Sequence, residues 1–154
     1  MHNTNKEQKK NIKAIERLLF NYSDIDTRIE SMEIEIEIIE HNYDTLHGRG
    51  SNEVKPSTPT NQTSSTVEEH LIRKHEQINR LRNRIKMEKI NKRMIENAIK
   101  SLNDYERGLI EGRYFEQINV SDLARRYSCV REYIYMQCNK IICNKLSKYI
   151  HTIK

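Results

Sequence analysis

The sequence predicts an all-α protein: a long antiparallel coiled-coil helical hairpin followed by a C-terminal helix-turn-helix domain. Three observations carry this. Apolar residues step by three and four over more than four heptads in the first part of the chain, and a second, looser heptad stripe follows residue 70. Gly and Pro number only four and two in 154 residues, so turn signals are few. The last fifty residues hold short amphipathic segments separated by tight turns.

Composition narrows the classes. Charged residues make up 32% of the chain and apolar ones 36%, the net charge is +5, and Trp is absent. So few turn formers argue against a sandwich or barrel. The apolar fraction is low for a domain built around a deep enzyme pocket. No run of about 18 apolar residues suggests a membrane span. The N-terminal MHNTNKEQKK has no apolar segment behind its lysines and does not read as a secretory signal. Cys129, Cys138 and Cys143 are odd in number and form no CxxC pair, which fits reduced core residues of a cytosolic protein.

The first element is a helix over residues 6–46. Ile15, Leu18, Tyr22, Ile25, Ile29, Met32, Ile36, Ile39, Tyr43 and Leu46 form its apolar stripe, with no Gly or Pro until Gly48. At ~1.5 Å per residue it would be roughly 60 Å long, and such a stripe needs a partner helix. Residues 47–66 contain both prolines and two glycines and read as a flexible linker. A second long helix starts at Ser65 or Thr66 and covers 67–100, with Leu71, Ile78, Leu81, Ile85, Ile95, Ile99 and Leu102 on its stripe. Lys74, Glu88 and Lys92 fall in the same frame and weaken its middle, while Ile90, Met94 and Ala98 form another apolar row. Residues 21–46 are net −7 and residues 67–100 net +5, so the two helices suit each other as an antiparallel pair, within one chain or between chains.

The domain at 101–154 begins with a helix of about ten residues ending near Phe115. Another starts at Val120 or Ser121, with Ser121 as the natural N-cap. Tyr127, Ser128 and Cys129 form the turn, and a last helix runs from Val130 to about residue 150 with Ile134, Cys138, Ile141 and Leu146 inward. Ala124 is small enough for two helices to cross closely, and Ile134, ten positions on, closes the core. Arg131, Glu132, Tyr135 and Met136 then face outward, at the positions that reach base edges in a major groove.

The stretch NVSDLARRYSCVREYIYMQCNKIICNKLSKYI resembles region 4 of the sigma-70 family, with Leu123-Ala124, Arg131-Glu132 and Lys145-Leu146 standing at its landmarks. LNDYERGLIEGRYFE is similar to the lead-in of the same region. The likeness covers about residues 101–150. With a coiled coil in front, the whole resembles small phage-encoded regulators of the RinA and ArpU type, which implies an activator of late genes working with RNA polymerase. Ser128 stands where the family usually has Gly, and Val130 where it usually has a capping Ser or Thr. Nothing resembles the sigma region that reads and melts the −10 element, so a complete sigma factor is not expected.

The resemblance implies that Arg131, Glu132 and Met136 face base edges. By helix geometry, Ser121, Arg125, Tyr135 and Lys140 lie where phosphates would run. Double-stranded DNA is the expected partner, bound in the bacterial cytoplasm at the nucleoid, with RNA polymerase or a sigma factor as a further candidate. Two modules joined through the coiled coil, a dimer first of all, would bind better than one, because residues 101–154 carry only +3. No cofactor is implied. His70 and His75, like Cys138 and Cys143, are five residues apart and fall on different helix faces, a poor zinc pattern. No nucleophile–base cluster or phosphate-cradling Gly loop suggests catalysis. Two rivals remain: a phage terminase small subunit, and a coiled-coil protein that grips RNA polymerase or a sigma factor through its acidic helix.

Overall fold

The computed structural model describes the backbone of residues 2–47 and 63–150, and side chains over 8–42 and 68–150. The protein is all-α: α1 (His2–Phe20), α2 (Ile25–His47), α3 (Thr63–Lys100), α4 (Asp104–Ile110), α5 (Val120–Arg126) and α6 (Arg131–Asn144). A π-helical turn, Glu111–Phe115, extends α4, and a short 3₁₀ turn, Leu146–Lys148, follows α6. No described helix is long and apolar enough to cross a membrane. Of the expected linker, residues 48–62 lie outside the described residues. Its edges are helical instead: α2 runs through His47, and α3 starts at Thr63, ahead of the Ser65 start that the sequence suggests.

The first long helix is broken. α1 ends at Phe20, four residues form a turn, and α2 begins at Ile25. The turn is Asn21-Tyr22-Ser23-Asp24, and it closes with Tyr22 N–H donating to Leu19 O and Ile25 N–H to Tyr22 O, each at 3.2 Å. Asn, Ser and Asp offer the backbone side-chain partners that compete with the helical ladder, so three of them within four positions favour a helix end without any Gly or Pro. Aromatic packing fixes the break. Tyr22 stacks on Phe115 with centroids 4.3 Å apart, and Phe20 meets Tyr114 edge-on at 4.8 Å.

The chain forms two compact units, Met1–Asp26 with Lys89–Lys154, and Thr27–Glu88, and the break lies within the first. In the second unit, α2 buries Ile29, Met32 and Ile36, and α3 buries Ile78, Leu81 and Ile85. Arg28, the single basic residue of the acidic segment, meets Glu88 through two hydrogen bonds of 3.3 and 3.1 Å. Arg82 pairs with Glu40 at 3.5 Å, so rising numbers on α2 match falling numbers on α3. Glu88, which looks like a flaw in the α3 stripe, is thus consumed by an ion pair.

In the first unit, Lys92, another charge in the α3 frame, pairs with Asp26 at 2.7 Å, and Tyr22 Oη donates to Glu96 at 3.3 Å. α3 contributes buried Ile95, Ala98 and Ile99, while Ile90 and Met94 remain half-buried along an open groove beside Tyr149. α1 packs on α6 and on the π turn, with Ile15 and Leu19 wholly buried. Tyr114 Oη donates to Glu16 at 2.9 Å, and burial first, then the neighbouring Cys138 and the Glu16 carboxylate, pushes the phenol far above its ordinary value. The N-terminal helix therefore belongs to the C-terminal module and not to a coiled coil of residues 1–46.

α4 opens on a capping box: Asn103 accepts from Glu106 N–H at 2.9 Å and the Glu106 carboxylate accepts from Asn103 N–H at 3.2 Å. The same carboxylate accepts from Lys145 Nζ at 2.7 Å. The Lys145 ammonium, aided by Asn103 N–H and opposed by partial burial, holds the Glu106 carboxyl below its ordinary 4.5. A carboxyl depressed in the folded state contributes stability above its unfolded value and loses it as pH falls through the folded one. Thermal melts should show wild-type stability dropping on acidification below that range, and a shallower drop in Glu106→Gln. Equal acid slopes would remove Glu106 from the account.

Candidate nucleic-acid interface

The candidate surface is built by α5, a three-residue turn and the start of α6. α5 is capped by Asn119, whose side chain accepts from Ser121 N–H at 3.0 Å. Ser121 is thus not the N-cap; it is the second residue of the helix and half-buried. Asn119 stands two residues earlier in an extended conformation and holds the stronger position, since a cap must precede the first helical residue. α5 buries Val120, Leu123 and Ala124.

The turn leaves α5 through Tyr127 N–H to Leu123 O at 2.9 Å and Cys129 N–H to Ala124 O at 2.9 Å. Ser128 sits at φ 51, the left-handed region where a side chain crowds its own backbone. Ser128→Gly should therefore stabilise the protein by about 0.5–1 kcal/mol in a denaturant titration. A loss of stability would mean that the Ser128 side chain makes a compensating contact.

Val130 is the N-cap of α6 and makes no side-chain capping bond. Ile134, Cys138, Ile141 and Ile142 bury its inner face. Burial raises the Cys138 thiol to about 11, which keeps it protonated and inert at neutral pH. α6 ends at Asn144 and not near residue 150: Lys145 departs to φ −117, and a 3₁₀ turn lets Leu146 and Ile150 fold back into the core. Tyr105 meets Tyr127 edge-on at 5.4 Å, tying α4 to the turn. Burial, then the neighbouring Tyr133, raises the Tyr105 phenol above its usual value.

The outward residues are separated cleanly from this core. Arg131 and Glu132, in the first turn of α6, are exposed, as is Lys140 two turns on. Tyr135 is 52% exposed and Met136 55%. Arg131 has no ion-pair partner among the described residues. Arg125 is exposed but holds Asp122 at 2.8 Å, and Arg126 lies 3.9 Å from Glu116. Exposed pairs of this kind contribute ~0–1 kcal/mol, so an external phosphate can take either arginine cheaply. Arg131, Glu132, Tyr135, Met136 and Lys140 thus share one open helix face, with Arg125 on the preceding helix and Ser121 partly withdrawn.

Sequence reading missed Arg113. The π turn, marked by Glu116 N–H donating to Glu111 O at 2.9 Å, inserts an extra residue and re-aims this side chain. Its guanidinium lies 5.3 Å from the Phe20 ring centre and 5.8 Å from those of Tyr114 and Tyr135. Arg113 therefore joins α1 to the exposed face of α6. Heptad spacing carries no signal for a π insertion. Gly112 within it was the available hint: a Cβ there would lie 3.0 Å from Leu123 Cδ2.

Charge also differs from the sequence-level reading. The unit formed by Met1–Asp26 and Lys89–Lys154 holds 18 Lys/Arg against 11 Asp/Glu, net +7, whereas residues 101–154 alone are net +3. No family model, no curated protein and no solved structure matches this chain.

Proposed function

We propose that this protein is a sequence-specific DNA-binding transcriptional regulator, a phage or prophage late-gene activator working with RNA polymerase. In this reading α5, the Tyr127–Cys129 turn and α6 are a helix-turn-helix, and α6 enters the major groove. The observation that carries it is the exposure of Arg131, Glu132, Tyr135 and Met136 at the head of α6, behind a buried core of Leu123, Ala124 and Ile134. Arg131 offers guanine two hydrogen bonds, Glu132 accepts from a cytosine amino group, and Met136 meets a thymine methyl. Arg125, Tyr135, Lys140 and Ser121 serve phosphates.

The α2–α3 pair is read as the antiparallel hairpin through which subunits pair or polymerase is contacted. The outer face of α2 supports such a protein contact: Ile34 is 49% exposed and Ile38 53%, among exposed Glu30, Glu33, Glu35 and Glu37. Selection from a pool of random duplexes tests the function. A recurrent motif with two half-sites is the expected result, and a bound pool no different from the input would reject sequence-specific binding.

A further inference from the structure

We propose that the basic face of α1 is a second phosphate-binding strip for duplex DNA, carried beside α6 in the same module; this rests on the DNA-binding reading above. Lys9, Lys10, Lys13 and Arg17 are all exposed. At 100° per residue they gather on one side of α1, opposite wholly buried Ile15 and Leu19. None of the four has an ion-pair partner among the described residues, in contrast to Arg125 and Arg126.

Two further observations tie the strip to the reading face. α1 packs directly on α6, so its outer side cannot swing away from it. Arg113 links the C-terminal end of α1 to the exposed side of α6, lying against both Phe20 and Tyr135. Four exposed cations along one helix suit a regular polyanion, and they specify no sequence. An anionic membrane is the poorer fit. Interfacial helices insert an apolar face, and the apolar face of α1 is committed to the module core.

The test uses the full chain, a mixed-sequence duplex, and the triple variant Lys9→Gln, Lys13→Gln, Arg17→Gln. These side chains are exposed, so helix content and melting temperature should match wild type. Three lost phosphate contacts lower the slope of log affinity against log salt by about 2.7, so between about 50 and 200 mM salt the wild type loses roughly 40-fold more affinity than the variant. The variant should bind more weakly at low salt and converge on wild type as salt rises.

An unchanged slope in a folded variant, with wild type still binding DNA, overturns the strip and leaves the helix-turn-helix reading standing. Wild type that binds no duplex at any salt overturns both. Lysine-dependent binding to phosphatidylglycerol vesicles, with no lysine-dependent duplex binding, assigns the face to membranes and rejects the proposal.

Discussion

Leu19→Ala should destabilise the C-terminal module by about 2–5 kcal/mol, although residue 19 lies more than eighty positions before it in the chain. Leu19 is wholly buried, and α1 is held to the module at three further points. Ile15 is buried one turn earlier, Glu16 accepts from Tyr114 Oη, and Phe20 packs on the Tyr114 ring. A truncated side chain leaves a cavity that the surrounding aromatic cluster fills only in part. Hydrogen exchange locates the effect: amides of α4 to α6 should lose protection in Leu19→Ala, while those of Ile78 to Ile85 should change little. The same physics predicts that residues 101–154 expressed alone are poorly folded, with Tyr114 and the inner side of α6 stripped of their cover. If that fragment has native helix content and sharp melting, α1 is dispensable and the module boundary lies where the sequence suggests.

Arg131→Ala should cost about 1–3 kcal/mol of discrimination, or roughly 5- to 150-fold, between the selected duplex and one changed at a single guanine. Non-specific affinity should fall little, because one cation among many contributes about one unit of salt slope. The separation between the two quantities makes the variant informative. Arg131 is exposed and has no ion-pair partner among the described residues, so its loss leaves no buried group unsatisfied and the fold intact. Competition binding against scrambled duplex reads the ratio directly. Should Arg131→Ala leave the ratio unchanged while Glu33→Lys with Glu37→Lys abolishes activation, the protein acts through the acidic helix and α6 is not a reader.

The two variants test different links of one chain. Leu19 acts on the packing that holds α6 in place, and Arg131 on what α6 presents. The basic face of α1 connects them, since the helix that stabilises the module from one side carries cations on the other.

Much of this was legible in the residues. The heptad stripes marked Ile25, Ile29, Met32 and Ile36 and their counterparts Ile78, Leu81 and Ile85, all of which are buried. The turn at Tyr127 to Cys129 and the phase of α6 followed from one small residue and one apolar residue ten apart. Periodicity suffices there because which residues share a helix face depends only on their spacing by three and four positions. The charge contrast between residues 21–46 and 67–100 likewise pointed to partners, and Arg28 with Glu88 shows how a reversed pair sits in that contrast.

Other features depend on contacts between residues far apart in sequence. The apolar spacing continues unbroken across residues 21–24, yet the helix stops there: Asn21, Ser23 and Asp24 loosen it locally, and the packing of Tyr22 on Phe115 and Phe20 on Tyr114 fixes the break. Glu16 and Tyr114 are ninety-eight positions apart, and no local pattern announces their bond. The π insertion that places Arg113 under Tyr135 has no periodic signature either. Local spacing thus determined that the chain is helical and which faces are apolar. Long-range packing alone decided which helices share a core, and with it that the basic helix α1 packs on the helix carrying Arg131.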